Sequence, residues 1–213
     1  MANERRQGER KKWVSALLAV ALGIDLLLVG YVGYLLWGRM SGQTEGTSGP
    51  TRVPIELWDA YEQARAAARN QAEDAQLVSA STQWQAVSEQ TLVDGASNWS
   101  FVFYSPTDDN SLDVVVNAGK AQVVNQAQVW VAPESLTEGA WRAGPREPLL
   151  VFLAYGGRTF LAEHPQALVD LHLASSEDDD GGGAVWTVVA LDPEDRSMCA
   201  LLVDAETKQV LSN

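Results

Sequence analysis

The spacing of apolar residues separates one long apolar segment from two series of shorter elements. Residues 13–37, WVSALLAVALGIDLLLVGYVGYLLW, contain a single charged side chain. A helix rises about 1.5 Å per residue, so a segment of this length can cross a hydrocarbon layer of about 30 Å. The pattern predicts a transmembrane helix. A cleaved secretory signal is the alternative, but its apolar core is usually only about 7 to 15 residues long.

After residue 54 the apolar residues follow shorter periods. Small and apolar residues recur at helical intervals in LWDAYEQARAAARNQAEDAQL, and four strand-like segments follow it: LVSASTQW, WSFVFYS, LDVVV and AQVVNQAQVWV. The stretch SEQTLVDGAS, between the first two strands, is predicted to be a polar loop. A second helix, PLLVFLAYGGRTFLAEH, and a second series of strands come after residue 147. Gly156 and Gly157 indicate that this helix is kinked or starts later.

The two series resemble each other when they are aligned with an offset of 87 residues. Trp99 then meets Trp186, Pro106 meets Pro193 and Val116 meets Val203, and 8 of the 28 positions from Trp99 onward are identical without a gap. Apolar positions and turn residues coincide in phase. We interpret the pattern as an internal duplication.

These elements predict an α+β chain with one N-terminal transmembrane helix and two repeated modules, each a helix on its own antiparallel sheet. The stretch after the apolar segment is rich in Gly, Ser, Thr and Pro, which is typical of a flexible stalk. The expected organisation is a basic tail (1–12), the transmembrane helix (13–37), the stalk (38–53), a first module (54–131), a connector (132–147) and a second module (148–213).

The helix, the Trp-containing strand and the closing hairpins VVVNAGKAQVV and LLVDAETKQVL resemble the PepSY module. The resemblance implies a cystatin-like fold of a helix on a sheet. It also implies a role in protein binding or peptidase modulation in the bacterial envelope, without catalysis. Asn117 and Glu206 depart from the pattern, because they replace the acidic residue and the turn glycine that the other hairpin keeps as Asp204 and Gly119.

Charge orients the predicted helix and excludes some partners. Five Lys or Arg residues precede residue 13 and only Arg39 follows residue 37 closely, so the positive-inside rule places the N-terminus in the cytoplasm and the C-terminal modules outside. Residues 40–213 carry 9 basic and 25 acidic side chains, a formal charge of −16. Such a surface repels nucleic acid. The chain is therefore expected to be a single-pass protein of the cell membrane.

The sequence shows no catalytic or cofactor motif. His164 and His172 lack the spacing of a zinc site, and His164 is explained by its place at the end of a helix. Cys199 aligns with Leu112 and is expected to be a buried apolar residue. The acidic run at residues 177–180 is better explained as a solvated loop than as a calcium site. We therefore expect no enzyme, no cofactor and no metal.

Two tryptophans are candidates for contacts between the modules or with a partner. Trp130 and Trp141 flank the predicted connector, where a large apolar side chain has to pack or to meet another protein. The leading expectation is an extracytoplasmic protein-binding module, for which modulation of a peptidase or of an envelope process is one role. The alternative is an accessory subunit that contacts a larger membrane complex through its transmembrane helix.

Asp25 lies at the middle of the predicted transmembrane helix. A carboxyl group at the centre of a bilayer costs about 3 kcal/mol on insertion scales, and such residues usually face another helix. At 100° per residue Gly23 lies about 200° from Asp25, and Gly30 lies within about 20° of Gly23. Small residues allow a neighbouring helix to approach closely. Asp25, Gly23 and Gly30 are therefore the candidate transmembrane contacts.

The first prediction follows from this arrangement. Asp25→Leu should weaken lateral association of the span and leave its insertion intact or improved, because a polar contact is lost and an insertion cost is removed. A transmembrane association assay on residues 9–40 measures this, with Gly30→Leu as a second variant. A monomeric wild-type span that neither change affects would show that the helix is only an anchor.

Overall fold

The strands that the structure describes form one antiparallel sheet. The computed structural model describes residues 54–85, 87–137, 139–176 and 183–212. Its helical elements are α1 (Leu57–Arg69), α2 (Glu89–Asp94), α3 (Arg146–Phe152), a π-helical turn (Leu153–Gly157) and α4 (Arg158–Glu163). Its strands are β1 (Gln76–Gln85), β2 (Asn98–Ser105), β3 (Asn110–Asn117), β4 (Lys120–Gln128), β5 (Leu168–Ser175), β6 (Ala184–Leu191), β7 (Met198–Asp204) and β8 (Val210–Ser212).

The expectation of two modules with separate sheets is wrong. The eight strands follow the order β4-β3-β2-β1-β5-β6-β7-β8, so the first strands of the two series are neighbours. β1 and β5 pair in seven consecutive positions, from Ser79 opposite Ala174 to Gln85 opposite Leu168. A strand at the edge of a four-stranded sheet would leave a row of backbone N–H and C=O groups unpaired, and this pairing satisfies them. The result is mostly an antiparallel sheet with few helices.

One hydrophobic core runs along one face of this sheet. Phe101 lies opposite Ala80, Ala80 opposite Leu173 and Leu173 opposite Trp186, so these side chains share a face across the join between the two series. All four are almost completely buried. α1 contacts β2, β3 and β4, while α3 contacts β6 and β7. The small side chains on the buried side of α1, such as Ala60 and Ala64, let the helix lie close to the sheet.

The second helix is interrupted within its predicted length. The π-helical turn separates α3 from α4, and Gly156 has a φ of +113°, which favours glycine. The expected kink is therefore present, and α3 begins slightly before residue 148. The predicted polar loop contains the short helix α2, which begins after Ser88, whose hydroxyl accepts a hydrogen bond from the Thr91 amide at 3.2 Å.

Residues 87 positions apart occupy the same places in the two halves. Trp99 lies opposite Val116 in the β2–β3 pair, and Trp186 lies opposite Val203 in the β6–β7 pair. The Trp99 indole donates a hydrogen bond to the Ile55 carbonyl at 3.1 Å, and the Trp186 indole donates one to the Ala143 carbonyl at 3.0 Å. Each tryptophan thus fixes the backbone that leads into a helix of its own half. The duplication itself stays an interpretation of the sequence.

The predicted connector packs against the sheet. Leu136 and Ala143 are buried within it. The Leu136 amide donates to the Leu77 carbonyl at 2.7 Å, and the Ala143 amide donates to the Ala205 carbonyl at 2.8 Å. These two bonds attach the segment to both halves of the sheet.

The predicted tail (1–12), transmembrane helix (13–37) and stalk (38–53) lie outside the described residues. Among the residues that the structure does describe, no helix combines the length and the apolar character needed to cross a membrane.

The shared core leads to a second prediction. Val116 and Val203 are completely buried, so Val116→Asp or Val203→Asp should each cost about 3 kcal/mol or more. Because one sheet and one core join the halves, either variant should unfold both halves of residues 51–213, which form one compact unit. Limited proteolysis measures this. Survival of a resistant fragment that contains one half would contradict it, and Val124→Asp, at an exposed position, is the control.

Candidate functional site

A histidine and two aspartates meet between the end of α4 and the turn that joins β6 to β7. His164 directly follows α4, and its backbone amide donates to the Phe160 carbonyl at 2.8 Å. Its ring lies against the Phe160 ring with 4.4 Å between the centroids. Asp192 follows the last residue of β6, and Asp195 lies in the same turn. The helix end and the strand end therefore bring together residues 28 positions apart or more.

The two carboxylates face the same imidazole nitrogen. His164 Nδ1 lies 2.8 Å from Asp192 Oδ2 and 3.7 Å from Asp195 Oδ2. The other oxygen of each carboxylate accepts a backbone amide of the turn: Asp192 Oδ1 from Glu194 at 2.7 Å, and Asp195 Oδ1 from Ser197 at 2.8 Å. Hydrogen bonds from the Ser197 side chain and amide lower the pKa of Asp195 below its usual value. The turn thus holds both side chains in place.

The first half of the chain has an equivalent contact with different chemistry. Position 105 corresponds to position 192, and the Ser105 hydroxyl donates to Asp74 Oδ1 at 2.7 Å. The Thr107 amide donates to Asp74 Oδ2 at 2.8 Å. These bonds, that from Ser105 foremost, lower the pKa of Asp74 to about 2. In both halves a side chain between helix and strand is bound to the next hairpin turn, so the contact between His164 and Asp192 has a structural role.

Ser197 does not complete a nucleophilic triad with His164 and Asp192. Its Oγ lies 3.4 Å from Nδ1 and 3.3 Å from Nε2 of His164. The lone-pair directions of the two ring nitrogens diverge, so an atom almost equally far from both is aligned with neither. A general base needs an aligned hydrogen bond to the hydroxyl that it deprotonates. The atoms that converge here are suited to binding a cation, since one ligand atom from each of His164, Asp192 and Asp195 lies within 4.8 Å of the others.

This cluster is not predicted from the sequence. His164 lies at the end of a helix as expected, but its position in the sequence does not show that its ring meets the turn. The signal in the sequence is the run DPEDRS, which places Asp192 and Asp195 just after a predicted strand. Its partner is 28 residues away, and nothing in the spacing shows that the two segments meet.

The two candidate tryptophans differ in their exposure to solvent. Trp141 is only 3% exposed and stacks on Trp58, with 4.4 Å between the ring centroids and 15° between the planes. It also meets the Tyr61 ring edge to face at 5.3 Å. Trp141 therefore packs on α1. Trp130 is 92% exposed and the neighbouring Val131 is 82% exposed.

Trp130 and Val131 follow an exposed edge strand. β4 is at one end of the sheet order, and the side chains of residues 124–128 are all exposed. Its nine residues contain no proline and one charged side chain, Lys120. Natural proteins usually protect an edge strand with charges, proline or short length. At the opposite edge, β8 has only three residues. We call β4 together with Trp130 and Val131 the β4 edge.

The sheet face opposite the core carries two half-buried titratable residues on β5. Asp170 lies between Gln83 of β1 and Val189 of β6, and His172 lies in the same way between Ser81 and Thr187. Burial raises the pKa of Asp170 to about 6 and lowers the pKa of His172.

The candidate transmembrane contacts Asp25, Gly23 and Gly30 lie outside the described residues, and so does the acidic run at 177–180.

Comparisons with known proteins do not show a family for this chain. No protein-family model matches it, and no curated protein sequence matches it. A similar solved structure is a "putative lipoprotein" from Clostridium difficile 630, with 15% sequence identity and a TM-score of 0.43, covering 78% of this chain and 94% of that chain. A likeness at that TM-score is too distant to support a function. The resemblance to PepSY modules therefore stays a prediction from the sequence.

A third prediction concerns pH. The raised pKa of Asp170 means that its carboxylate is less favourable in the folded than in the unfolded chain. The ionised carboxylate therefore lowers the free energy of unfolding. This loss is absent below about pH 4, grows between about pH 4 and pH 6, and is complete above about pH 6. Asp170→Asn should raise the free energy of unfolding at pH 8, by at most about 3 kcal/mol, and change it little at pH 4.

Urea unfolding of residues 51–213 at the two pH values measures the difference. Asp108→Asn, the same change at an exposed position, is the matched control. If Asp170→Asn changed the free energy of unfolding by the same amount at pH 4 and pH 8, the raised pKa of Asp170 would be contradicted.

Proposed function

We propose that this chain is a membrane-anchored, extracytoplasmic protein-binding subunit that binds an extended segment of its partner at the β4 edge. The observation that carries the proposal is the exposure of Trp130 and Val131, which begin one intervening residue after the end of a long edge strand. The predicted transmembrane helix at 13–37 would supply the anchor, and the charge bias around it favours an extracytoplasmic C-terminal domain.

An extended partner segment fits an open strand edge. The outer side of β4 offers backbone N–H and C=O groups that β3 does not use, because an edge strand pairs on one side only. A partner strand can add to the sheet there, with main-chain hydrogen bonds supplying affinity. Trp130 and Val131 then give an apolar contact next to the added strand. Tryptophan is among the residues that contribute most to protein interfaces.

Charge and surface chemistry favour a protein over other partners. Residues 40–213 carry a formal charge of −16, which opposes binding to nucleic acid. The β4 edge itself is nearly neutral, because Lys120 is the one charged residue of the strand. An extended polypeptide can therefore approach this edge without the repulsion that an acidic patch would give an acidic partner. A peptidase is one class of partner, as the resemblance to PepSY modules implies.

The second candidate function is an accessory subunit that joins a membrane complex through its transmembrane helix. Asp25 favours it, since a carboxyl at the centre of the predicted span needs a polar partner on another helix. The two functions differ in the surface that they use. Asp25→Leu should weaken assembly under the second function and leave binding unchanged under the first.

A fourth prediction tests the β4 edge. The double variant Trp130→Ala, Val131→Ser should weaken partner binding by about thirtyfold, which corresponds to a loss of about 2 kcal/mol at an interface centre. Photo-crosslinking from position 130 in the full chain, in the membrane of its own cell, identifies the partner. Affinity for that partner is then measured with the wild type and the double variant.

Tyr155 provides the matched control, because it is an aromatic residue that is 54% exposed and lies in the π-helical turn. Crosslinks from position 155 to the same partner, or an equal loss of affinity in Tyr155→Ala, would contradict binding at the β4 edge. Thermal unfolding of the double variant should match that of the wild type, because neither side chain is buried.

A further inference from the structure

The cluster of His164, Asp192 and Asp195 contains more ligand groups than a structural contact needs. The equivalent contact of the first half joins helix and turn with one carboxylate, one hydroxyl and one backbone amide. In the second half His164 and Asp192 already make that connection at 2.8 Å. Asp195 adds a second carboxylate, whose Oδ2 lies 3.7 Å from the same nitrogen, beyond hydrogen-bond distance.

One imidazole nitrogen cannot satisfy two carboxylates. If Nδ1 carries a proton, it donates to Asp192 and leaves Asp195 Oδ2 without a hydrogen bond from the ring. A divalent cation between the three atoms would interact with all of them at once. Its charge would balance the two carboxylates, and the neutral imidazole would bind it through the lone pair of Nδ1.

The side chains are positioned before any ion binds. Backbone amides of the turn hold the Oδ1 atoms of Asp192 and Asp195, so that their Oδ2 atoms remain directed at the ring. The helix end and the Phe160 ring position the imidazole. The side chains of His164 and Asp192 are only 18% and 11% exposed, while that of Asp195 is 56% exposed, so an ion can reach the cluster from the solvent on its side. Ligand groups held in this way lose little freedom on binding.

We propose that Nδ1 of His164 and the Oδ2 atoms of Asp192 and Asp195 form a binding site for a divalent transition-metal ion of the zinc class. One nitrogen and two carboxylate oxygens suit zinc, whereas calcium takes six to eight oxygen ligands. Three protein ligands leave at least one position for water or for a ligand group of a partner. The ion would join the end of α4 to the β6–β7 turn.

The test measures zinc binding by the full chain without an affinity tag, purified in detergent micelles, by isothermal titration with ZnCl₂. The wild type should bind one zinc ion. The affinity of Asp195→Asn for zinc should be at least about tenfold lower. Zinc should also raise the melting temperature of wild type but not of this variant. Asp195→Asn keeps the amide-accepting oxygen and removes no hydrogen bond to His164, so the turn should stay folded.

Two controls isolate the site. Asp108→Asn changes the residue that aligns with Asp195 in the first half, and His172→Gln changes the other histidine of the chain. Both should bind zinc as the wild type does, while His164→Gln should not. Absence of zinc binding by the wild type, equal zinc affinity in Asp195→Asn, or tighter binding of calcium than of zinc would each overturn the proposal.

Discussion

The antiparallel pairing of β1 with β5 is the constraint on which the rest of the structure depends. It turns two four-stranded series into one sheet and places their buried faces on the same side. Trp99 and Trp186, one in each series, then belong to one core and fix the backbone before α1 and before α3. The same pairing leaves β4 and β8 as the outer strands. The exposed β4 edge is therefore a consequence of how the two halves are joined.

The sequence predicted the features that follow from the spacing of its apolar residues. The spacing of apolar residues predicted strand segments at β2, β3, β6 and β7, and the offset of 87 residues matched positions that share a register, such as Val116 and Val203. It did not show that β1 and β5 pair, because alternation tells which face a side chain lies on and not which strand lies beside it. The two-module interpretation failed at this step, and α2 was missed because its six residues are too few for a helical period.

The candidate sites differ in how many of their residues could be identified from the sequence. Trp130 was a candidate because it borders the predicted connector, and the structure adds its exposure and its place after an edge strand. Trp141, chosen on the same grounds, packs on α1. The cluster at His164 depends on a helix end that meets a hairpin turn, a contact between distant segments that no local pattern encodes. Both proposed sites therefore rest on tertiary structure.

Native-state hydrogen exchange of residues 51–213 tests the shared sheet most directly. The slowest amides of β1, β2, β5 and β6 should exchange with one common opening free energy, equal to the global free energy of unfolding, because all belong to one cooperative unit. The outward amides of β4 should exchange much faster. If the slowest amides of β1 and β2 opened at one free energy and those of β5 and β6 at another, the two halves would unfold separately and the account would be wrong.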